Sequence, residues 1–418
     1  MTEQKTKKIP VLTISQQEIP HKDLLNGLKK YANKVPYKEK DIFVNSPVLI
    51  NLQYLEDTKR LCSILNSIMV MVAYNYYRDA RIQEVYQLDD DFQEILSMTE
   101  GTPFELGMYR PDFIYDTTGQ ARICEIDCRY PINGWMLSNY LNSTVDNLAS
   151  NVNENWSSIP EQNEFLKELT SRYDIEEPIF FIQKDKMGIE LDYLKTELDK
   201  KGVKMICVSP EDLKFEEGQV MAGDQIARQF FLNIDRDELK NFEKDVLRAI
   251  IKSGRCINDV RTLILIHDKR VLALLFNEEV MGSYANIDDY MFLKNYLTPS
   301  YTIHDAKDRE FLINTTENWI LKPNSGGNGV DMYIKDKCSK EFWENIVKNE
   351  WKNYMVQPYI NQQKFTLQGK EDIHLVGYNL FFNGRSFGAG MFRGSSENIV
   401  NLNSENGVIL PCVLDKNS

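Results

Sequence analysis

The chain has 418 residues, 42% of them hydrophobic and 27% charged, which is ordinary globular composition and more chain than one compact core holds. Its 62 acidic and 49 basic residues leave a formal charge of −13. That balance argues against general nucleic-acid or anionic-membrane binding, though not against a local basic pocket for a nucleotide.

Residues 1–20 read as a loose arm that opens with a polar stretch lacking the apolar centre of a secretory signal. Residues 21–100 read as mainly helical, with apolar residues at three-to-four spacing through Leu52, Leu55, Leu61, Ile64, Leu65, Ile68 and Val72. The apolar run Leu61 to Tyr77 is interrupted by Ser63, Asn66, Ser67 and Asn75 and is shorter than a membrane span needs, so it is expected to be a core helix. Two short strands follow, Phe113–Tyr115 and Ala121–Asp127, with a turn at Asp116–Gln120. Residues 140–175 are polar and read as helices and a connection. Next comes a strand–helix–strand unit: Pro178–Gln183, an amphipathic helix Ile189–Lys201 stopped by Gly202, and Val203–Val208. That order implies parallel strands. A further helix is expected over Asp237–Ser253, and Thr262–Ile266 fits either a strand or the start of the next helix.

From about residue 268 the chain restarts with a helix, Lys269–Phe276, and the strand Trp319–Lys322. A glycine-rich loop, the strand Val330–Ile334, the helix Lys340–Lys348 and the strand Tyr354–Ile360 complete the pattern. Two long strands, Ile373–Phe382 and Phe387–Arg393, close it. The domain division expected from this pass is 1–20, 21–175, 176–266 and 267–418. The cysteines number seven, and only Cys124 and Cys128 lie close together, so reduced cytoplasmic thiols are expected rather than disulfides or a zinc site.

Two segments carry chemistry. In Lys322-Pro-Asn324-Ser325-Gly326-Gly327-Asn328-Gly329 a lysine ends an apolar strand and glycines follow at once. Backbone N–H groups of such a loop can cradle phosphate oxygens, and the lysine adds a point charge. Taken alone, the same residues would also make a plain hairpin turn. In Glu125-Ile-Asp127 two carboxylates share one face of a strand, an arrangement that suits a hard cation such as Mg²⁺ bridging to nucleotide phosphates. It also suits a solvated edge strand. Arg110-Pro-Asp112 and Arg129-Tyr-Pro-Ile-Asn133-Gly134 flank it.

With Glu125, Asp127, Lys269, Lys322 and the glycine loop laid out, the chain resembles the ATP-grasp superfamily from about Arg110 onward. The acidic pair precedes the lysines, which resembles the circularly permuted branch that includes eukaryotic-type glutathione synthetase and glutathionylspermidine synthase relatives. That branch carries Glu-x-Asn where this chain has Glu125-x-Asp127. The resemblance implies an α+β / α/β molecule: an ATP-grasp core, a parallel α/β substrate-side domain and an N-terminal helical region. It further implies ATP and Mg²⁺ (or Mn²⁺), with Glu125 and Asp127 as metal ligands. The nucleotide would be held by Lys269, Lys322, Asn324, Ser325, Gly326, Gly327 and Gly329. A hinge strand would place adenine against Gln357, Pro358 and Tyr359.

Arg393 would stabilise the transferred phosphoryl group, and Arg110, Arg129 and Asn133 would hold the carboxylate substrate. The activity so implied is ATP-dependent joining of a carboxylate to an amine through an acylphosphate. The substrates would be amino acids or a short peptide, with no nucleic acid or membrane partner. A small-molecule kinase of the same fold and a non-catalytic nucleotide-binding module are the alternatives. Dimers are common in such relatives, and the sequence leaves the assembly open.

Overall fold

The computed structural model describes residues 12–31, 42–184, 188–327, 329–367, 371–402 and 406–417. The fold is mixed α+β, with several sheets. The expected arm is ordered from residue 12: Leu12 and Ile19 are buried, and Thr13–Ile14 pairs antiparallel with Val48–Ile50. The latter strand runs parallel to the chain's last strand, so the two ends of the described chain share one small sheet.

Helix α1 (Leu52–Asn75) starts where the Asn51 side chain accepts the Tyr54 N–H. It buries Leu55, Leu61, Ile64, Leu65, Ile68 and Val72, as the spacing predicts, whereas Leu52 at its first position is exposed. No helix among the described residues is long and apolar enough to cross a membrane.

The central sheet starts with β1 (Met108–Tyr115) and β2 (Ala121–Asp127), an antiparallel hairpin closed by the Asp116–Gln120 turn. Helix α2 (Trp135–Val152) leaves the hairpin's far end. A separate four-stranded sheet contains β3 (Ile179–Ile182), β4 (Met205–Val208), β5 (Phe230–Leu232) and β6 (Cys256–Ile257), in the order β6-β5-β3-β4. All its pairings are parallel, as the strand–helix–strand reading requires. Helix α3 (Ile189–Lys200) makes the β3–β4 crossover.

The helix expected over Asp237–Ser253 is shorter. Residues Arg236–Asn241 form a 3-10 turn and the α-helix occupies Lys244–Ser253, because Phe242 turns back to extended backbone. Thr262–Ile266 is neither strand nor α-helix but a fully buried π-helical turn running into α4 (Arg270–Phe276).

The lid sheet contains β7 (Tyr301–Thr302), β8 (Trp319–Pro323), β9 (Tyr333–Ile334) and β10 (Tyr354–Pro358), antiparallel in the order β7-β10-β8-β9. Strand β9 is shorter than the Val330–Ile334 expected. Helices over Ala306–Asn314 and Lys340–Asn349 cover one face of this sheet, around Leu312, Leu321, Trp343 and Ile346. Strand β11 (His374–Phe382) pairs with β1 and completes the central sheet with β12 (Arg385–Ala389), β13 (Phe392–Ser395) and β14 (Val408–Leu410). The single strand expected over Phe387–Arg393 is broken at Gly390. Its N–H reaches the Tyr378 carbonyl at 2.8 Å, and a Cβ there would stand 2.1 Å from the Tyr378 ring. Only glycine lets the chain pass that close.

Candidate active site

The hairpin builds the site. Its register sets Arg110 opposite Asp127 and Asp112 opposite Glu125, so these charged groups share one face. Between Asp112 and Phe113 the register slips by one residue, leaving Cys124 as the bulged residue. A bulge re-aims its backbone, and the Cys124 carbonyl accepts the Lys322 Nζ at 2.9 Å. Thus β8 of the lid and β2 of the central sheet meet through the lysine that the glycine loop follows.

The second lysine arrives from another direction. The Asp268 carboxylate is fully buried and grips Arg270 at 2.6 and 2.9 Å and Arg236 as well, which fixes the start of α4. Lys269 Nζ then lies 3.1 Å from Glu125 Oε1 and 2.6 Å from the Gly326 carbonyl. Gly326 has φ +92°, a left-handed conformation that points this carbonyl at the lysine. The Lys269 N–H also donates to the Asn324 carbonyl at 2.9 Å. The two lysines and the glycine loop therefore converge on Glu125.

Charge balance explains the ionisation states. Burial opposes the Glu125 carboxylate, but the Lys269 ammonium 3.1 Å away outweighs it, with Lys322 adding to the pull, and the carboxyl is held down at about 2. Burial pushes Asp127 up, against the pull of Arg110 and aided by the Glu125 charge beside it. Burial lowers the Lys322 ammonium. Burial and the neighbouring Lys269 depress His267 to about 3, so its ring is neutral. The His267 Nδ1 accepts the Cys128 N–H at 3.4 Å, while Nε2 is buried without a partner.

Two clefts meet here. The front cleft is bounded by Ile320, Lys322, Pro358, Ile360 and Val376 among others, a mainly apolar slot that Lys322 also lines. The second, polar cleft takes in Arg110, Asp127, Arg129, Asn133 and Glu190. Asp112, Glu125, Arg393 and Val400 line both, so the carboxylate hairpin is their shared wall.

Arg393 stands at this junction. It pairs with Asp112, its guanidinium lies 5.7 Å from the Tyr378 ring centroid, and its Nε is buried without a partner. Arg110 is fully committed: Nε to Asp112 at 2.8 Å, Nη2 to Asp127 at 3.0 Å and Nη1 to the Asn133 carbonyl at 2.9 Å. It thereby holds the hairpin's carboxylates in place while lining the polar cleft. Arg129 pairs with Asp235 at 2.8 Å and lies against Gly327. Asn133 contributes its backbone carbonyl to Arg110.

In the lid, the Asn324 amide donates to the Lys352 carbonyl, leaving the buried Asn324 Oδ1 and Ser325 Oγ without partners. Gly329 lines the front cleft. Gln357 is buried and donates to Ser300 Oγ at 2.8 Å, while the Tyr359 N–H is taken by the Asn318 carbonyl at 2.9 Å. Gln357, Pro358, Tyr359 and Ile360 all line the slot, although the Tyr359 amide is occupied by Asn318.

Two groups were not singled out by the sequence. Asp112 was visible only as a neighbour of Arg110, and the register that faces it to Glu125 depends on the bulge. Glu190, in the first turn of α3, caps another helix altogether. It accepts N–H groups from Gly134 at 2.8 Å, Met136 at 2.8 Å and Leu137 at 3.1 Å. Burial raises its carboxyl to about 7, against the pull of those three donors. An acid in a helix's first turn is common enough to carry no signal.

All seven cysteines are free. Among the described residues no group of three or more His, Cys, Asp or Glu side chains is disposed to hold a metal ion by itself.

Residues 61–265 match the family described as the AnkG N-terminal domain, a little under half of the chain. The similarity spans the carboxylate hairpin, α2 and the parallel sheet, and stops before Lys269. A comparison with curated proteins finds no match to the chain.

Proposed function

We propose that this protein is an ATP-dependent carboxylate–amine ligase of the circularly permuted ATP-grasp type, making an amide or peptide bond on amino acids or a short peptide. The observation that carries the reading is the convergence of Lys269 and Lys322, from separate segments, on Glu125 and Cys124 where two clefts adjoin. An adenine ring fits the apolar slot beside Pro358, with its phosphates directed toward the lysines and the glycine loop. The acceptor carboxylate fits the polar cleft. The buried, partnerless Nε of Arg393, which lines both clefts, is what a site completed by ligand groups leaves behind.

In the chemistry proposed, a carboxylate oxygen attacks the γ-phosphorus and the bond to ADP breaks, giving an acylphosphate. The amine lone pair then attacks the acyl carbon and phosphate leaves. Such steps need positioning and charge neutralisation rather than a protein nucleophile. Lys269 and Lys322 would bind the phosphates, and Arg393 would meet the charge on the transferred group. Arg110 would keep Asp112 and Asp127 aligned. The hard oxygen donors Glu125 and Asp127 fit Mg²⁺ (or Mn²⁺), with phosphate and water oxygens completing its shell. A bound ion would supply neutralisation of phosphate charge.

The test is ADP release with amino-acid mixtures, with Glu125→Ala and Lys322→Ala as controls and mass spectrometry of the product. Joined substrates are expected. A product heavier by one phosphoryl group would make it a kinase, and calorimetric Mg-ATP binding with no turnover would make it a non-catalytic nucleotide-binding module. Amino-acid-dependent turnover that survives both substitutions would sink the reading.

A further inference from the structure

The lid sheet has a second cleft on its other face. Alternation along β8 sends Ile320 and Lys322 to the front and Trp319 to the rear. The rear cleft has a volume of about 820 Å³, within the range of small-molecule sites, and lies between the lid and the end of α4.

Its walls are aromatic. The Tyr301 ring stands 6.0 Å from Trp319 and the Phe311 ring 5.7 Å from it, edge-on at 86°. Phe276 adds a further ring 5.7 Å from Tyr301. Tyr301 is 44% exposed and Phe311 52%, whereas Trp319 at 6% forms the floor. The Trp319 indole N–H is buried and has no hydrogen-bond partner. A buried indole normally finds one.

Its charge has one sign. Glu278, Asp308 and Glu317 line it, and among the described residues no lysine or arginine does. Lys294 pairs with Glu278. Asp308 accepts the His304 N–H at 2.8 Å, and among the described residues neither it nor Glu317 has a cationic side chain as partner. The His304 ring is engaged on both nitrogens, by Gln87 at 3.0 Å and Thr302 at 2.6 Å.

We propose that this rear cleft binds a small organic cation: a substituted ammonium that also carries a hydroxyl or carbonyl oxygen. Aromatic faces attract a desolvated cation through their quadrupoles, most strongly at an indole. Asp308 and Glu317 supply the unbalanced negative charge, and the ligand oxygen satisfies the Trp319 N–H. A neutral apolar guest would use the rings but neither the carboxylates nor the indole donor.

The test is isothermal titration calorimetry of the full chain with choline, tetramethylammonium and dimethylbutanol, the uncharged isostere of choline. Choline is expected to give saturable heat, with dimethylbutanol about tenfold weaker or less. Phe311→Ala and Glu317→Gln, both at exposed positions, should each weaken choline by about three- to tenfold. Trp319→Phe keeps a ring and loses the donor, so it should weaken choline more than tetramethylammonium. Circular dichroism checks each fold. Should Phe311→Ala or Trp319→Phe unfold, Glu317→Gln decides. The inference is overturned by absent saturable heat with both cations, by equal affinity for dimethylbutanol, or by unchanged choline affinity in the folded variants.

Discussion

The parallel sheet and the β1–β2 hairpin are both buried, yet they are built on opposite terms. In the sheet, Phe180, Phe181, Phe230 and Phe231 are fully buried, and Phe181 stacks on Phe231 at 4.5 Å. Burying those rings stabilises the fold directly. In the hairpin, Arg110 and Asp112 are buried too, and with Glu125, Asp127 and the buried Lys269 at the start of α4 they make a network of ion pairs. Such pairs repay their desolvation at best approximately, and apolar packing of the same volume would serve stability as well. A charge cluster that stability does not require, beside two clefts, is what the proposed ligand site calls for.

The largest expected effect separates the two regions by activity. Lys322→Ala should lower ATP-dependent turnover by about a thousandfold, since it removes a preorganised charge from the phosphate position. The midpoint of urea unfolding should move little by comparison. Steady-state ADP release beside a urea titration checks this, and equal loss in both would mean that Lys322 is structural.

Phe231→Ala should do the reverse. Emptying a fully buried ring position costs about 4 kcal/mol, read from the urea midpoint. Turnover per folded molecule should be unchanged. A loss of turnover at full folding would show that the parallel sheet shapes the polar cleft more closely than its apolar interior implies.

Arg110→Met sharpens the contrast, because it acts on both. It leaves Asp112 and Asp127 short of a partner in the interior, at a cost of about 3 kcal/mol. Adding Asp127→Asn should recover part of the stability but none of the activity. Recovery of both would reduce Arg110 and Asp127 to a structural pair.

What could be read from the sequence follows the same division. Strand β3 is buried on both faces and appears as an unbroken apolar run, so β3 and the α3 that follows were legible almost to the residue, whereas β4, with Cys207 exposed, begins two residues after the expected Val203. Glu125, Asp127, Lys269 and Lys322 were legible as residue types on strands and at a helix start, and the structure brings them together. What escaped were features set by partners distant in sequence. The bulge at Cys124 decides which acid faces Glu125. The Gly390 break depends on Tyr378, and the cap made by Glu190 depends on α2, more than fifty residues away. The short helix at Lys244–Ser253 escaped for a local reason. The acidic stretch before it has helical composition but closes into a 3-10 turn when Phe242 turns inward.

The smallest expected effect lies where the two regions touch. Glu190 leaves the parallel sheet's crossover helix to cap α2 beside the hairpin, and burial raises its carboxyl from the ordinary 4.5 to about 7. The folded state therefore holds this proton more tightly than the unfolded chain does. Its contribution to stability is full below about pH 4.5 and is lost as pH rises toward about 7. Glu190→Gln cannot titrate, so the melting temperature of the natural chain minus that of the variant should fall across this window. The divergence expected is about 1–3 °C for a chain of this size. Parallel melting curves over the window would mean that the three α2 N–H groups outweigh burial and keep Glu190 ionised. The cap would then be an ordinary charged one, and the cost of buried charge would stop at the hairpin.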